Sequence, residues 1–194
     1  MRYKYKKSKI IRNSSISKNF TNRSIALVGL MGVGKTTTGK QLAKILNREF
    51  YDSDYEIEKA SGRTISGYFK DYGEKEFRKG ERLVIERLLA KKSIVLATGG
   101  GAYIQEETHE ILNGRALTIW LKADLNTIMN RVSKNYDKRP LLQVNNPEAK
   151  IKELIKIRHP IYKKSHITVT IDNDEQFSIS NKIIHAIKKY QSNN

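Results

Sequence analysis

The feature that most constrains this chain is the glycine-rich octet GLMGVGKT at residues 29–36. The apolar run at residues 25–28 before it predicts a buried strand, and the apolar spacing of residues 39–46 after it predicts a helix. The pattern G-x-x-x-x-G-K-T at a strand–helix junction is the phosphate-loop signature, because its glycines let backbone N–H groups approach a polyphosphate at the helix N-terminus. A glycine-rich turn that merely connects two elements is the alternative. The setting favours a binding site for a nucleoside triphosphate.

The side chains of the octet have separate expected roles. Lys35 supplies a point charge for the outer phosphates, and the Thr36 hydroxyl is placed to bind Mg²⁺. We expect nucleotide contacts from Gly32, Val33, Gly34, Lys35, Thr36 and Thr37, and from Arg139 further along the chain.

Composition limits the class of protein. The 194 residues are enough for one domain with its own core. No stretch of 18 apolar residues occurs, so we expect no membrane span. Cysteine is absent, which excludes disulfides, thiolate metal sites and cysteine nucleophiles. A nucleotide-binding protein without disulfides fits the cytoplasm.

The first 23 residues contain eight lysines and arginines and no acidic residue, so they carry +8 of the net charge of +17. They show no helix or strand period, and we expect a mobile extension (residues 1–23) ahead of a single domain (residues 24–194). The extension lacks the apolar region of a secretory signal. An organelle-targeting segment, a nucleic-acid contact and a solvated tail without a partner remain open, and we expect no obligatory nucleic-acid partner.

Two acidic residues, Asp52 and Asp54, follow the short apolar strand predicted at residues 49–51. Side chains at i and i+2 of an extended segment point the same way, so both can face the crevice beyond the carboxyl ends of parallel strands. One carboxylate there can serve a metal and its waters, and the other a substrate hydroxyl. The alternative is that they cap the helix that starts after them.

Arginines and glycines provide further candidates. Arg78 and Glu81 share one helix face, either as a surface ion pair or as a guanidinium held ready for a substrate carboxylate. Arg158 lies at the end of a helix that we expect to stop at His159-Pro160. Three glycines, residues 99–101, follow the strand predicted at residues 93–98 and favour either a close ligand or an unusual turn, and Gly100 is a candidate backbone contact.

The remaining segments complete an α/β pattern. Residues 133–146 are polar and basic, as in lids over active sites, and Arg139 is the candidate to reach a transferring phosphoryl group; a generic flexible loop is the alternative. We further predict helices at residues 104–113 and 177–190, with His109 solvated, and strands at residues 116–121 and 166–171. Five strands alternating with helices predict a doubly wound five-stranded parallel sheet with helices on both faces.

Taken in order, these motifs resemble the shikimate kinase family of phosphate-loop proteins over about residues 24–175. The features that carry the resemblance are GLMGVGKTT at 29–37, FYDSD at 50–54, Arg63 and Arg78 in GRTI and EFR, TGGGA at 98–102, KRPLL at 138–142 and IRHPIY at 157–162. The resemblance implies a P-loop kinase fold with a mobile lid, and ATP-dependent phosphorylation of the shikimate 3-hydroxyl on the route to chorismate and aromatic amino acids.

The resemblance also implies a role for each site residue. Asp54 would bind the substrate diol and orient or deprotonate the attacking hydroxyl, and Asp52 would join Thr36 at Mg²⁺. Arg78, held by Glu81, and Arg158 would bind the shikimate carboxylate, with a backbone contact from Gly100. Lys35 and Arg139 would stabilise charge on the transferring phosphoryl group.

Two departures from the family pattern leave the adenine contacts open. Arg131 precedes Arg139 by eight residues instead of seven, and residues 172–176 lack an arginine common in relatives. A related small-molecule kinase, such as a gluconate-type kinase, and a non-catalytic ATP-binding protein are the rival interpretations. We expect a monomer.

Overall fold

The structure is a computed structural model that describes residues 22–132, 144–172 and 176–193. Within these ranges five parallel strands form one sheet in the order β2-β3-β1-β4-β5. The strands are β1 Ser24–Val28, β2 Phe50–Asp52, β3 Val95–Ala97, β4 Ala116–Ala123 and β5 Ile167–Ile171. The predicted five-stranded parallel α/β sheet is confirmed.

The described residues include seven α-helices, most of which connect successive strands. They are α1 Lys35–Leu46, α2 Ser53–Ser61, α3 Ile65–Leu89, α4 Glu106–Arg115, α5 Leu125–Val132, α6 Pro147–Tyr162 and α7 Gln176–Ser192. The connection from β1 to β2 crosses the sheet in the direction opposite to the later connections. Right-handed crossovers therefore put α1 on one face and the connecting helices α2 to α6 on the other. The C-terminal helix α7 packs against α1.

Burial along the strands explains why this sheet forms. Every residue of β1 and β3 is buried, and β4 is buried except at Lys122, as expected for parallel strands covered on both faces. The edge strand β5 alternates buried and exposed residues. Gly39 allows α1 to lie close to β2, because a Cβ at this position would be 2.5 Å from the Phe50 ring.

Several predicted boundaries differ from those in the structure. Helix α6 continues through Pro160 to Tyr162 instead of stopping at His159, because its last turn is held by the buried Tyr162 side chain. Helix α4 passes through Gly114, and β3 is only three residues long. The long helix α3 is broken at Gly73, whose φ is 77°.

Arg23, the last residue of the predicted extension, is attached to the domain. Its guanidinium donates to the carbonyl oxygens of Asn113 and Ala116, at 3.0 Å each, and lies 3.1 Å from Nε2 of His166. Residues 1–21 and most of the predicted lid, including Arg139, lie outside the described residues. No helix in the described ranges has the length and apolar character needed to cross a membrane.

Candidate active site

The phosphate loop joins β1 to α1 with the backbone geometry that its glycines permit. Gly32 and Gly34 have φ values of 82° and 87°, which side-chain-bearing residues rarely adopt, and Gly34 is the N-cap of α1. No side chain caps this helix end, so its first N–H groups are available to an anion. The Lys35 ammonium donates to the carbonyls of Gly29 and Leu30, at 2.8 and 2.9 Å, which holds it inside the loop.

The polar side chains that follow the loop lead directly to β2. Thr36 and Thr37 are exposed at the start of α1, while Val33 is buried. The Thr36 hydroxyl donates to Oδ2 of Asp52 at 2.6 Å. The other Asp52 oxygen accepts from the N–H groups of Asp54 and Tyr55, so Asp52 also caps α2. The interpretation of Asp52 as a helix cap is therefore confirmed, and its role at a metal ion stays a prediction.

Asp54 lies against the triglycine segment at the end of β3. The N–H of Gly99 donates to the hydroxyl of the buried Ser53 at 2.9 Å, which ties the start of α2 to this segment. A Cβ on Gly99 would lie 2.6 Å from Oδ1 of Asp54 and 2.7 Å from Oε1 of Glu81. The carboxylates of Asp54 and Glu81 therefore occupy the space that a side chain at residue 99 would need.

Arg78 is held beside the same glycines by two carboxylates. One terminal nitrogen is 2.6 Å from Oε2 of the buried Glu81, and the other is 3.1 Å from Oε1 of Glu74. Its guanidinium lies 5.7 and 5.1 Å from the ring centres of Phe69 and Phe77. These contacts hold the guanidinium in one position. They favour a fixed guanidinium over the loose surface ion pair that the spacing of Arg78 and Glu81 left open.

Arg158 reaches the triglycine from helix α6, which is distant in the sequence. Its guanidinium donates to the Gly100 carbonyl at 3.3 Å, and the Tyr162 hydroxyl donates to the same oxygen at 2.5 Å. A Cβ on Gly100 would lie 3.4 Å from the Met31 N–H nitrogen, so this segment also borders the phosphate loop. One acid and two arginines therefore surround three glycines next to the nucleotide site.

Two carboxylates of the site hold their protons more tightly than usual. Asp54 faces the open cleft, yet protein atoms crowd its carboxylate, and this desolvation together with repulsion from Asp52 raises its pKa to about 6. Burial raises the pKa of Glu81 to about 7, although Arg78 opposes the shift. Oε1 of Glu81 has no hydrogen-bond partner among the described residues. A proton acceptor with a pKa near 6 suits transfer at neutral pH.

Most of the predicted site residues are brought together. The exception is Arg139, which lies outside the described residues, so its role stays a prediction. Arg131, left open by its spacing, donates to the carbonyls of Val33 and Asp172 at 3.2 Å each, and so joins the phosphate loop to the segment after β5. His109, predicted to be solvated, instead stacks on Tyr103 with ring centres 4.4 Å apart.

Three contributors to the site were missed by the sequence reasoning. Ser53 accepts a hydrogen bond from Gly99, the Phe69 ring lies next to the Arg78 guanidinium, and Tyr162 donates to the Gly100 carbonyl. A buried serine in an acidic pair has no local signal. The i, i+4 spacing of Arg158 and Tyr162 could have indicated that they share a helix face.

The side-chain oxygen atoms near the phosphate loop are candidate metal ligands. The described residues contain no group of three or more His, Cys, Asp or Glu side chains suited to hold a metal. Thr36 and Asp52 do form a hydroxyl–carboxylate pair beside the phosphate-binding helix end. This small oxygen set fits Mg²⁺, which keeps several waters and takes its other ligands from substrate phosphates.

A family model, curated relatives and a solved structure of high similarity belong to the same family. The model for the shikimate kinase family matches residues 31–188. The shikimate kinase of Bartonella henselae is 45% identical over 180 residues, which cover 93% of this chain and 85% of the relative. That of Nitrobacter winogradskyi is 54% identical over 147 residues, covering 76% and 68%. A solved structure, shikimate kinase from Acinetobacter baumannii in complex with shikimate, has a TM-score of 0.84 at 41% identity, covering 90% and 96%.

Proposed function

The chain belongs to the shikimate kinase family and phosphorylates the 3-hydroxyl of shikimate with ATP, and we propose that the side chains around the triglycine divide this reaction as follows. The reaction breaks the bond between the γ-phosphorus and the oxygen that joins it to the β-phosphate, and forms a bond from that phosphorus to the 3-oxygen. ADP leaves, and the hydroxyl proton must be accepted. The residues therefore have to bind an acid, orient a diol and stabilise a phosphoryl group.

Arg78 and Arg158 bind the carboxylate of shikimate. Arg78 is prepared for this by Glu81 and Glu74, because both carboxylates fix the planar guanidinium before the substrate arrives. Arg158 retains donors beyond the one that it gives to Gly100. The partly exposed ring of Phe69 next to Arg78 offers an apolar wall for the carbon ring of the substrate, and the buried Phe77 ring packs behind it at 4.3 Å between ring centres.

Asp54 receives the reacting hydroxyl. Its carboxylate lies beside Gly99, on the side of the cleft where the phosphate loop opens, and Lys35 and Arg78 are close enough to influence its charge. An ionised Asp54 accepts a hydrogen bond from the 3-hydroxyl, orients its oxygen for attack and takes its proton as the new bond forms.

The phosphate loop, Lys35 and Arg139 act on ATP. The first N–H groups of α1 point at phosphate oxygens, and Lys35 exchanges its loop carbonyls for the outer phosphates. Thr36 and Asp52 would hold Mg²⁺, which would neutralise part of the charge on the phosphates. Arg131, beside Val33, borders the nucleotide on its outer side.

The observation that carries this proposal is the convergence on residues 99–101. An acid, an arginine and that arginine's own carboxylate partner fill the space where side chains of Gly99 and Gly101 would be, and a second arginine lies on Gly100. A ligand with one carboxylate and neighbouring hydroxyls matches this set. We also propose a cytoplasmic monomer and a single domain after the basic extension.

The test is an ADP-release assay with ATP, Mg²⁺ and a panel of polyols and hydroxy acids. We expect release with shikimate and none with gluconate; the opposite preference would refute the acceptor assignment. Arg78→Ala should raise the KM for shikimate by about 10- to 100-fold while leaving the KM for ATP within about twofold.

Arg82→Ala is the matched control for this variant. Arg82 lies one turn further along α3 and pairs with Glu107 instead of facing the triglycine. If both variants changed the shikimate KM equally, the carboxylate-binding role of Arg78 would be wrong.

A further inference from the structure

The last turn of α6 places a buried phenol against the substrate-binding segment. Tyr162 is fully buried, and its hydroxyl donates to the Gly100 carbonyl at 2.5 Å. Arg158, one helical turn earlier, donates to the same carbonyl at 3.3 Å. The Gly100 carbonyl thus accepts hydrogen bonds from two side chains of the same helix.

These two hydrogen bonds fix the Gly100 carbonyl and hold the Arg158 guanidinium beside it. A carbonyl oxygen has two lone pairs, and here the oxygen accepts from two donors. Because Tyr162 supplies the shorter hydrogen bond, it limits how closely the Arg158 guanidinium is drawn to this oxygen.

We propose that Tyr162 is a positioning residue for the carboxylate end of the shikimate site, acting through Gly100 and Arg158 without touching the substrate itself. This inference rests on the proposed binding of the carboxylate by Arg158. Without the Tyr162 O–H group, the Gly100 oxygen loses its shorter hydrogen bond, and Arg158 becomes its only donor among the described residues. The guanidinium is then drawn toward the carbonyl and away from the incoming carboxylate.

Burial keeps the phenol suited to this role. Removal of the hydroxyl from water raises the pKa of Tyr162 to about 12, against the lowering influence of Arg158. The donor proton is therefore present throughout the pH range in which a kinase is assayed. Its ring lies 6.0 Å from that of Trp120 and 6.2 Å from that of Tyr103, centre to centre, so the side chain is also a core component.

Tyr103 provides a matched control for a purely structural contribution. It is also fully buried, and its hydroxyl donates to Oδ1 of Asn113 at 2.9 Å, away from the triglycine carbonyl. The rings of Tyr103 and Tyr162 are neighbours, and Tyr103→Phe and Tyr162→Phe each remove one buried hydroxyl group together with its hydrogen bond. A structural role alone predicts the same kinetic constants for both variants.

The experiment compares wild type, Tyr162→Phe and Tyr103→Phe by thermal unfolding and by coupled ADP release, with separate KM values for shikimate and ATP. We expect Tyr162→Phe to raise the KM for shikimate about 3- to 10-fold, with kcat and the KM for ATP within about twofold. Tyr103→Phe should lower the unfolding temperature without raising that KM. In a double-mutant cycle, Tyr162→Phe should cost less in an Arg158→Lys background than in wild type.

Two kinetic results would contradict the positioning role of Tyr162. A shikimate KM for Tyr162→Phe within twofold of wild type, or an equal rise for Tyr103→Phe, overturns the positioning role. Should Tyr162→Phe be too unstable to assay, 4-fluorophenylalanine at position 162 fills the hydroxyl volume without donating a proton, and the same limits apply to it. Absence of shikimate-dependent ADP release by wild type would instead refute the proposed function.

Discussion

A methyl group added at Gly101 should weaken shikimate binding without unfolding the protein. Gly101 has φ −99° and ψ −13°, a conformation that alanine adopts freely, so the substitution introduces no backbone strain. The new Cβ would lie 2.5 Å from one terminal nitrogen of Arg78 and 2.8 Å from its Cζ and its other terminal nitrogen. Non-bonded atoms need about 3.5 Å, so the guanidinium must move by roughly 1 Å.

The size of the effect follows from what Arg78 is holding. Its hydrogen bond to Glu81 is 2.6 Å long, and a shift of this size breaks either that bond or the alignment with the substrate carboxylate. One charge-assisted hydrogen bond contributes about 1.5–3 kcal/mol, which corresponds to roughly a 10- to 150-fold rise in the KM for shikimate. The guanidinium lies at the end of a long side chain and can shift without moving the backbone. We therefore expect the melting temperature to change by only about 2–4 °C.

The assay is coupled ADP release with shikimate varied at saturating ATP and then ATP varied at saturating shikimate. Gly114→Ala is the control, because no atom lies within 4 Å of its added Cβ and it sits inside α4. It should leave both KM values unchanged and stabilise the helix by about 0.5–1 kcal/mol. A shikimate KM for Gly101→Ala within twofold of wild type, or an equal rise in both KM values, would refute the reasoning.

Four further predictions concern Asp54, Arg139 and the basic extension. Below a pH of about 6, kcat should fall about tenfold per pH unit as Asp54 becomes protonated. Asp54→Asn should lower kcat at every pH and abolish this acidic limb of the pH profile. A variant with the same pH profile as wild type would contradict the role of Asp54. Because the folded-state pKa of Asp54 is raised above its ordinary 3.8, the neutral carboxyl group contributes stability that is fully present below about pH 4 and is lost as pH rises through 6. Asp54→Asn should therefore melt above wild type at pH 8 and less so at pH 4. Arg139→Ala should reduce kcat by about 10²- to 10³-fold with a nearly unchanged KM for shikimate, and a kcat within twofold would remove Arg139 from the reaction. Deletion of residues 2–21 should leave turnover within about twofold and weaken any salt-sensitive RNA binding. Deletion through Arg23 should lower the melting temperature by a further 2–4 °C or so, because the anchoring guanidinium is lost. Equal melting curves for the two deletions would show that Arg23 contributes nothing to stability.

The amino-acid sequence determined the features that depend on residues close together in the chain. The phosphate loop is such a feature, because its glycines, Lys35 and Thr36 form one continuous turn between a strand and a helix. The pairing of Arg78 with Glu81 follows equally from their i, i+3 spacing. The number of strands and their parallel arrangement could be predicted for the same reason, since buried parallel strands have short apolar runs, but their order in the sheet was not predicted.

Only the tertiary structure decided why three glycines stand in a row after β3. None of them needs a positive φ; Gly99 and Gly101 lack side chains because Asp54, Glu81 and Arg78 occupy that space. Likewise, Tyr162 and Arg158 reach a carbonyl about 60 residues earlier in the chain, and this contact is made by a helix turn beyond Pro160 that local propensity would end. Contacts of this kind depend on how helices pack over the sheet edge, and no local pattern of residues encodes that packing.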